Sequence, residues 1–266
     1  VNTTDFQALV GQRGRELFRA MPWRESTDPY LVLVSELMLQ QTQVERVIPK
    51  FNSFIARFPD VFGLASASLA DVLIAWSGLG YNRRAKYLHL AAQKIVTDYG
   101  GLVPSTQAEL VGLLGVGPNT AAAVLAYGFN QPVVFVETNI RTVYFYHFFE
   151  DATSVSDQAL REVVRATLDS TQPRQWYWAL MDYGNDLKRR GVGQITKSSH
   201  YKKQSPLQGS LREVRGQILR RLTRGDATEA ELRSELETDG RFAAALADLI
   251  RDGLVERSRN QLHLTK

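Results

Sequence analysis

Two short segments of this chain hold residue types that could do chemistry at close spacing. Leu113-Leu114-Gly115-Val116-Gly117-Pro118-Asn119-Thr120 reads as a helix end, a tight glycine turn and a second helix opening at Asn119-Thr120. Glycines at both turn positions let backbone N–H groups come close to an anion at a helix start, and a nucleic-acid phosphate is the obvious anion. About twenty residues on, Glu137-Thr138-Asn139-Ile140-Arg141 places a carboxylate beyond this grip. A phosphate clamp followed by an acid points to chemistry on a nucleic acid rather than to binding alone. A competing reading, an ordinary turn between helices, fits one Gly-x-Gly but not the downstream Glu-Thr-Asn.

The composition excludes several other chemistries. The chain has 266 residues and no cysteine, which removes disulfides, thiolate metal sites, iron–sulfur clusters and cysteine nucleophiles. Its net charge of +4 is compatible with an acidic partner without demonstrating one. No apolar run reaches transmembrane length, and the first residues lack the pattern of a signal peptide. A cytoplasmic, nucleoid-associated monomer with no membrane contact is the expectation.

The elements that must carry these segments are helices. Apolar spacing near 3.6 recurs in Phe6-Leu9-Val10, Leu31-Val34-Leu37-Met38, Val47-Phe51-Phe54-Phe58, Leu88-Ala92-Ile95 and Val163-Val164-Leu168. Breaks fall at Asp28-Pro29, Pro59-Asp60, Gly100-Gly101, Pro104-Ser105 and Gln131-Pro132. Only Val133–Val136 has strand character, and four residues suit an extended lead-in to a helix better than a sheet. Lys188, Arg189, Arg190, Lys197, Lys202 and Lys203 make 188–207 a basic linker, either a solvated connector or a phosphate-contacting loop. Residues 208–266 read as three helices and a hairpin, a winged-helix-like unit. Thr228 and Glu231 form a capping box there, and too few basic residues occupy the third helix for base reading.

The hairpin and its downstream acid resemble the helix-hairpin-helix DNA glycosylase superfamily, which includes endonuclease III. Met21-Pro22-Trp23-Arg24, Asp28-Pro29-Tyr30, Ser35-Glu36-Leu37-Met38-Leu39-Gln40-Gln41-Thr42, Val47-Ile48-Pro49, Arg57-Phe58-Pro59 and Gly78-Leu79-Gly80-Tyr81 are similar to the MutY family of adenine DNA glycosylases. The resemblance runs from about residue 6 to 187. It implies an all-α, two-lobed fold over 1–187, an active site between the lobes, and a target base flipped out of double-stranded DNA. By position it implies Glu36, Glu137 and Asn139 as catalytic. Gln41 and Tyr81 become wedges into the base stack. Arg83, Arg84, Gly115, Val116, Gly117, Asn119, Thr120, Lys188 and Arg189 become DNA contacts, and Trp23, Arg24, Leu39, Trp178 and Met181 line the base pocket. A monovalent cation on hairpin carbonyls is common in the family, at no position the sequence assigns.

Release of a purine needs a protonated leaving base and a stabilised positive charge on the sugar. A desolvated carboxylic acid can keep and donate a proton near neutral pH, which is the role the resemblance implies for Glu36. A second, ionised carboxylate would face the oxocarbenium-like sugar, the role implied for Glu137. Without the flanking motif, Glu36 reads as a surface glutamate and Glu137 as a helix-start charge. Asn119 stands where bifunctional relatives carry a lysine nucleophile, so cleavage without strand scission is expected. On burial tendency alone Trp176, Tyr177 and Trp178, like Tyr144, Tyr146, His147, Phe148 and Phe149, read as core packing rather than base stacking.

The sequence departs from the MutY pattern at four places. Glu137 replaces an aspartate; its extra methylene moves the carboxylate by about 1.5 Å, and misplacement near 1 Å costs roughly a hundredfold in rate. Trp178 falls where a polar side chain reads adenine, and indole cannot both donate and accept. The four-cysteine loop is absent, and the domain that reads 8-oxoguanine is not evident. The expected substrate is adenine opposite 8-oxoguanine or guanine. The alternatives are the same fold acting on uracil, hypoxanthine or mismatched thymine, and a non-catalytic lesion binder.

Overall fold

A computed structural model describes residues 2–198, 206–236 and 239–266. The described residues form α-helices joined by short loops, plus one two-stranded antiparallel sheet, and fall into two compact units.

The first unit comprises residues 1–36, 105–112 and 116–203. It holds α1 (Thr3–Glu16), most of α2 (Pro29–Leu39), α7 (Gln107–Val111), α8 (Pro118–Phe129), α9 (Thr138–Phe148), α10 (Asp157–Thr167) and α11 (Pro173–Arg189). Side-chain caps start three of them: Asn2, Thr106 and Ser156 each accept from a backbone N–H in the first turn of α1, α7 and α10. Helix α11 packs on α9, α1 and α8. Phe6 centres the core, with ring centroids 5.3 Å from Tyr144, 4.8 Å from Phe148 and 5.8 Å from Trp176. Tyr144 and Trp176 are buried as expected, whereas Tyr146, also expected in the core, is 39% exposed. His147 is packed too, its Nε2 2.9 Å from the Tyr183 hydroxyl.

Residues 133–136 run extended into α9 without joining a sheet. Buried carbonyls need donors, and side chains supply them here. The Tyr177 hydroxyl donates to Val133 O at 2.7 Å, Arg161 to Val134 O at 3.4 Å, and Asn119 Nδ2 to Val136 O at 3.1 Å. The basic stretch after α11 continues on this unit: Lys197 Nζ donates to Phe149 O at 3.0 Å, and Val155 and Ser198 form a parallel bridge. Lys202 and Lys203 lie outside the described residues.

The second unit comprises residues 37–104, 113–115 and 204–266. It holds α3 (Val44–Arg57), α4 (Val61–Ser66), α5 (Leu69–Trp76) and α6 (Arg83–Tyr99). The C-terminal α12 (Leu211–Leu222), α13 (Glu229–Glu235), α14 (Phe242–Arg251), β1 (Val255–Ser258) and β2 (Gln261–Leu264) join them. The Thr228–Glu231 capping box forms, and β1 pairs with β2 from Val255↔Leu264 to Ser258↔Gln261. The C-terminal helices and hairpin thus have the winged-helix-like order read from the sequence. Their contacts nevertheless group them with 37–104 rather than apart: Lys86 Nζ donates to Asp252 O at 2.8 Å and Gly253 O at 3.3 Å.

Arg84 requires a correction. Its expected phosphate contact is replaced by a structural role, since the residue is only 7% exposed. Its guanidinium donates to Leu37 O and Met38 O at 2.8 Å, Gln40 O at 2.6 Å, Gly80 O at 3.0 Å and Thr42 Oγ1 at 3.1 Å. It therefore closes the open carbonyl end of α2. Burial, with Arg46 nearby, lowers its pKa to about 10, still charged at neutral pH. Arg84→Ala strands several buried carbonyls and is expected to cost about 3 kcal/mol in urea denaturation. The salt dependence of DNA binding should not change; a smaller salt slope with normal stability would restore the phosphate role.

Candidate active site

Glu36 lies in the last turns of α2, a helix that buries Val32, Leu33, Val34, Leu37 and Met38. Glu137 precedes α9 at its N-cap position, yet its side chain makes no capping bond. A glutamate that leaves the cap unused is available to something else. Desolvation raises the Glu36 pKa well above the ordinary 4.5, and the Glu137 carboxylate adds to it. Desolvation raises Glu137 as well. Two buried acids that feel each other's charge cannot both ionise freely, so the pair keeps a proton above the ordinary carboxyl range.

Tyr127, on α8, completes the acid cluster and was not singled out from the sequence. Its phenol is pushed well above 10, by burial first and then by Glu36 and Glu137, with Arg24 opposing. It stays a neutral hydroxyl. The sequence offers one weak signal for it, a large polar aromatic closing the small-residue run Ala121–Ala126. Trp178 stacks on Tyr127 with ring centroids 6.3 Å apart and planes 17° from parallel, and the Arg24 guanidinium sits 5.5 Å from the Trp178 centroid. Arg24 is fixed in turn by Asp182, 2% exposed, which it meets at 2.7 Å and which Arg19 also meets at 2.7 Å. Asp182 and Arg19 were likewise missed, because the pair spans some 160 residues of sequence. Trp23 is buried in the short helical turn Pro22–Arg24, and Met181 is half-buried on α11. Leu39 belongs to the second unit.

Asn139 Oδ1 accepts from Lys188 Nζ at 2.8 Å, so Lys188, expected on DNA, orients the Asn139 amide here. Arg189 is exposed, its nearest acid Asp186 at 3.8 Å. Asn119 is engaged at both ends, by Val136 O and by Arg161 at 3.1 Å, and holds the extended segment that leads to Glu137. In the hairpin, Gly115 has φ +81°, and a Cβ there would sit 2.8 Å from Tyr87 Cβ. Val116 is buried beside it. Gly117 caps α8 with Pro118 next, and a Cβ on it would meet nothing. Its exposed backbone stands at the first turn of α8, whose N–H groups have no partner within the helix.

In the second unit, Gln41 (φ +54°) and Tyr81 (φ +46°) hold left-handed backbones, as only two other non-glycine residues do among those described. The two wedge positions implied by resemblance are thus strained, as functional positions often are. Gln41 is exposed; Arg83, also exposed, lies 3.7 Å from Asp252. Gln41→Gly should relieve the strain and raise stability by about 0.5–1 kcal/mol while slowing base release. Thermal unfolding alongside a single-turnover assay checks both, and a destabilised variant would refute the strain.

The sequence pattern of the "HhH-GPD superfamily base excision DNA repair protein" matches residues 34–166. An adenine DNA glycosylase of Mycolicibacterium smegmatis is 34% identical over 263 residues, covering 90% of this chain and 89% of that protein. One from Buchnera aphidicola subsp. Baizongia pistaciae is 34% identical over 170 residues, 62% of this chain and 48% of that protein. The chain thus spans about half the length of that relative. Among solved structures, a thermostable thymine-DNA glycosylase superposes with a TM-score of 0.62 at 25% identity, over 68% of this chain and 85% of the other. The chain belongs to the helix-hairpin-helix superfamily of base-excision DNA repair proteins. Within it the sequence is MutY-like, with no cysteine to hold an iron–sulfur cluster.

Proposed function

We propose that this chain is a monofunctional glycosylase that removes adenine opposite 8-oxoguanine or guanine. The observation that carries this reading is the acid pair, Glu36 and Glu137, both raised by desolvation. Protonated Glu36 donates to a ring nitrogen of the flipped base as the glycosidic bond breaks. Ionised Glu137 stabilises the positive sugar until water adds. The hairpin's open backbone takes a phosphate of the target strand. Asn119, a neutral amide bound at both ends, has no amine to form a Schiff base.

A direct test compares untreated and alkali-treated products of a labelled duplex carrying adenine opposite 8-oxoguanine. Alkali-dependent breaks alone fit hydrolysis that leaves an abasic site. Breaks without alkali, with borohydride trapping of the protein on DNA, would overturn the monofunctional part.

Trp178 favours a second reading on substrate. An indole stacked on Tyr127 presents no paired donor and acceptor for an adenine edge. A pyrimidine or hypoxanthine is then the rival, and the structural relative is a thymine-DNA glycosylase. Uracil needs less protonation on leaving, so a uracil-specific enzyme would tolerate loss of Glu36 far better than an adenine-specific one.

A further inference from the structure

The second unit holds a cavity of about 220 Å³ that the reaction above does not use. Its walls are the loop after α5 and the face of α12. Leu73, Leu219 and Leu264 give it an apolar floor, while Arg46, Arg212 and Arg220 place cations around it. Two of the loop's carbonyls are already taken. Arg46 donates to Gly78 O at 2.6 Å; Trp76 Nε1 and Arg84 both donate to Gly80 O, at 3.2 and 3.0 Å. The carboxylate in the wall, Glu213, is also answered, by Gly209 N at 2.8 Å and Arg241 at 3.5 Å. Arg46 and Arg220 thus bring positive charge to the cavity wall. Backbone lies bare on both sides, since a Cβ at Gly80 or Gly216 would meet nothing within 4 Å. The next residue after Gly80 is strained Tyr81, and Arg212 lies 5.0 Å from its ring centroid and donates to its hydroxyl.

We propose that this cavity binds a phosphodiester of the DNA strand next to the Tyr81 wedge, with Arg46, Arg212 and Arg220 as its cations. The C-terminal unit then belongs to the DNA interface through α12. Its third helix, α14, carries one basic residue in its last turn, Arg251, which pairs with Asp248. Guanidinium forks suit phosphate oxygens, and the apolar floor suits the sugar of the same nucleotide. The inference rests on DNA being the ligand of this chain and not on which base is removed.

The test is equilibrium binding of the full chain to a duplex bearing a tetrahydrofuran abasic analogue, followed by fluorescence anisotropy over a salt series. No chemistry is needed for it. Each lost phosphate contact lowers the slope of log K against log salt by about 0.9. Joint Arg46→Ala and Arg220→Ala is expected to lower the slope by about 2 and weaken binding by about tenfold or more. Joint Arg46→Lys and Arg220→Lys should keep the slope, and Arg165→Ala on exposed α10 should change neither quantity. An unchanged slope in the alanine pair would overturn the proposal, as would tighter binding, which would mean that α12 covers the interface. Inorganic pyrophosphate is the second probe. Its binding at the arginines with an unchanged DNA slope would mark a free-anion site and overturn the proposal. A lowered slope in a chain that releases no base would uphold the cavity and refute the catalytic reading. No binding of wild type to the duplex would refute both.

Discussion

Glu36→Gln is expected to slow single-turnover base release from an adenine duplex by about 10³-fold, the middle of the range for losing a general acid. The amide keeps the shape of the carboxyl and cannot protonate the leaving base. Affinity for the duplex should hold. The pH profile of the native chain should show the same group. Because burial and Glu137 raise the Glu36 pKa well above 4.5, base release persists above the ordinary carboxyl range and falls as pH rises through the raised value. On the acid side, release falls as Glu137 takes up a proton.

Stability should move in the opposite direction. A carboxyl with a raised folded-state pKa favours the folded protein fully only below its ordinary value of 4.5. That contribution is lost as pH rises through the raised value. Glu36→Gln should therefore unfold at a higher urea concentration than wild type near pH 8, with the gap closing toward pH 4. Equal stabilities at both pH values, or a variant that still releases adenine at the native rate, would remove Glu36 from the acid role.

Gly184→Ala should have the largest structural effect. Helix α11 crosses the start of α9 so closely that a Cβ on Gly184 would lie 2.1 Å from Asn139 O and 2.6 Å from its carbonyl carbon. The obstacle is backbone, so no side-chain rotation relieves it. Overpacking of a rigid contact is expected to cost about 3 kcal/mol or more in urea denaturation. Asn139 lies two residues beyond Glu137, and a shift near 1 Å there should cost roughly a hundredfold in rate at a temperature where the variant stays folded. A variant with native stability and native rate would show that the two helices do not meet at Gly184.

Local chemistry was legible in the sequence where the determining atoms lie within a few residues. The Thr228–Glu231 box, the helix starts at Asn2 and Ser156, the glycine hairpin and the extended 133–136 segment are of this kind. Glu36 and Glu137 came from resemblance; their shared dry surroundings came only from the fold. Features joined by distant contacts were hidden. Arg84 reads as one cation in a basic run, but its acceptors lie mostly some 45 residues away, near the end of α2. Tyr127 looks like the end of a packed helix until both acids are placed beside it. Gly184 carries no local signal in the sequence, although a Cβ there would run into the Asn139 backbone. The C-terminal helices could be delimited, but their grouping with residues 37–104 depends on contacts such as Lys86 with Asp252, which no local pattern announces.

The central claim is that the acid pair serves adenine excision despite Trp178 and Glu137. Single-turnover cleavage of labelled duplexes tests it most directly, with adenine opposite 8-oxoguanine, adenine opposite guanine, uracil opposite guanine, hypoxanthine opposite thymine and thymine opposite guanine, each developed with alkali. The account predicts abasic sites from the two adenine duplexes and none from the other three. Release of uracil, hypoxanthine or thymine with adenine left intact would contradict it, and would assign the pocket around Trp178 to a different base.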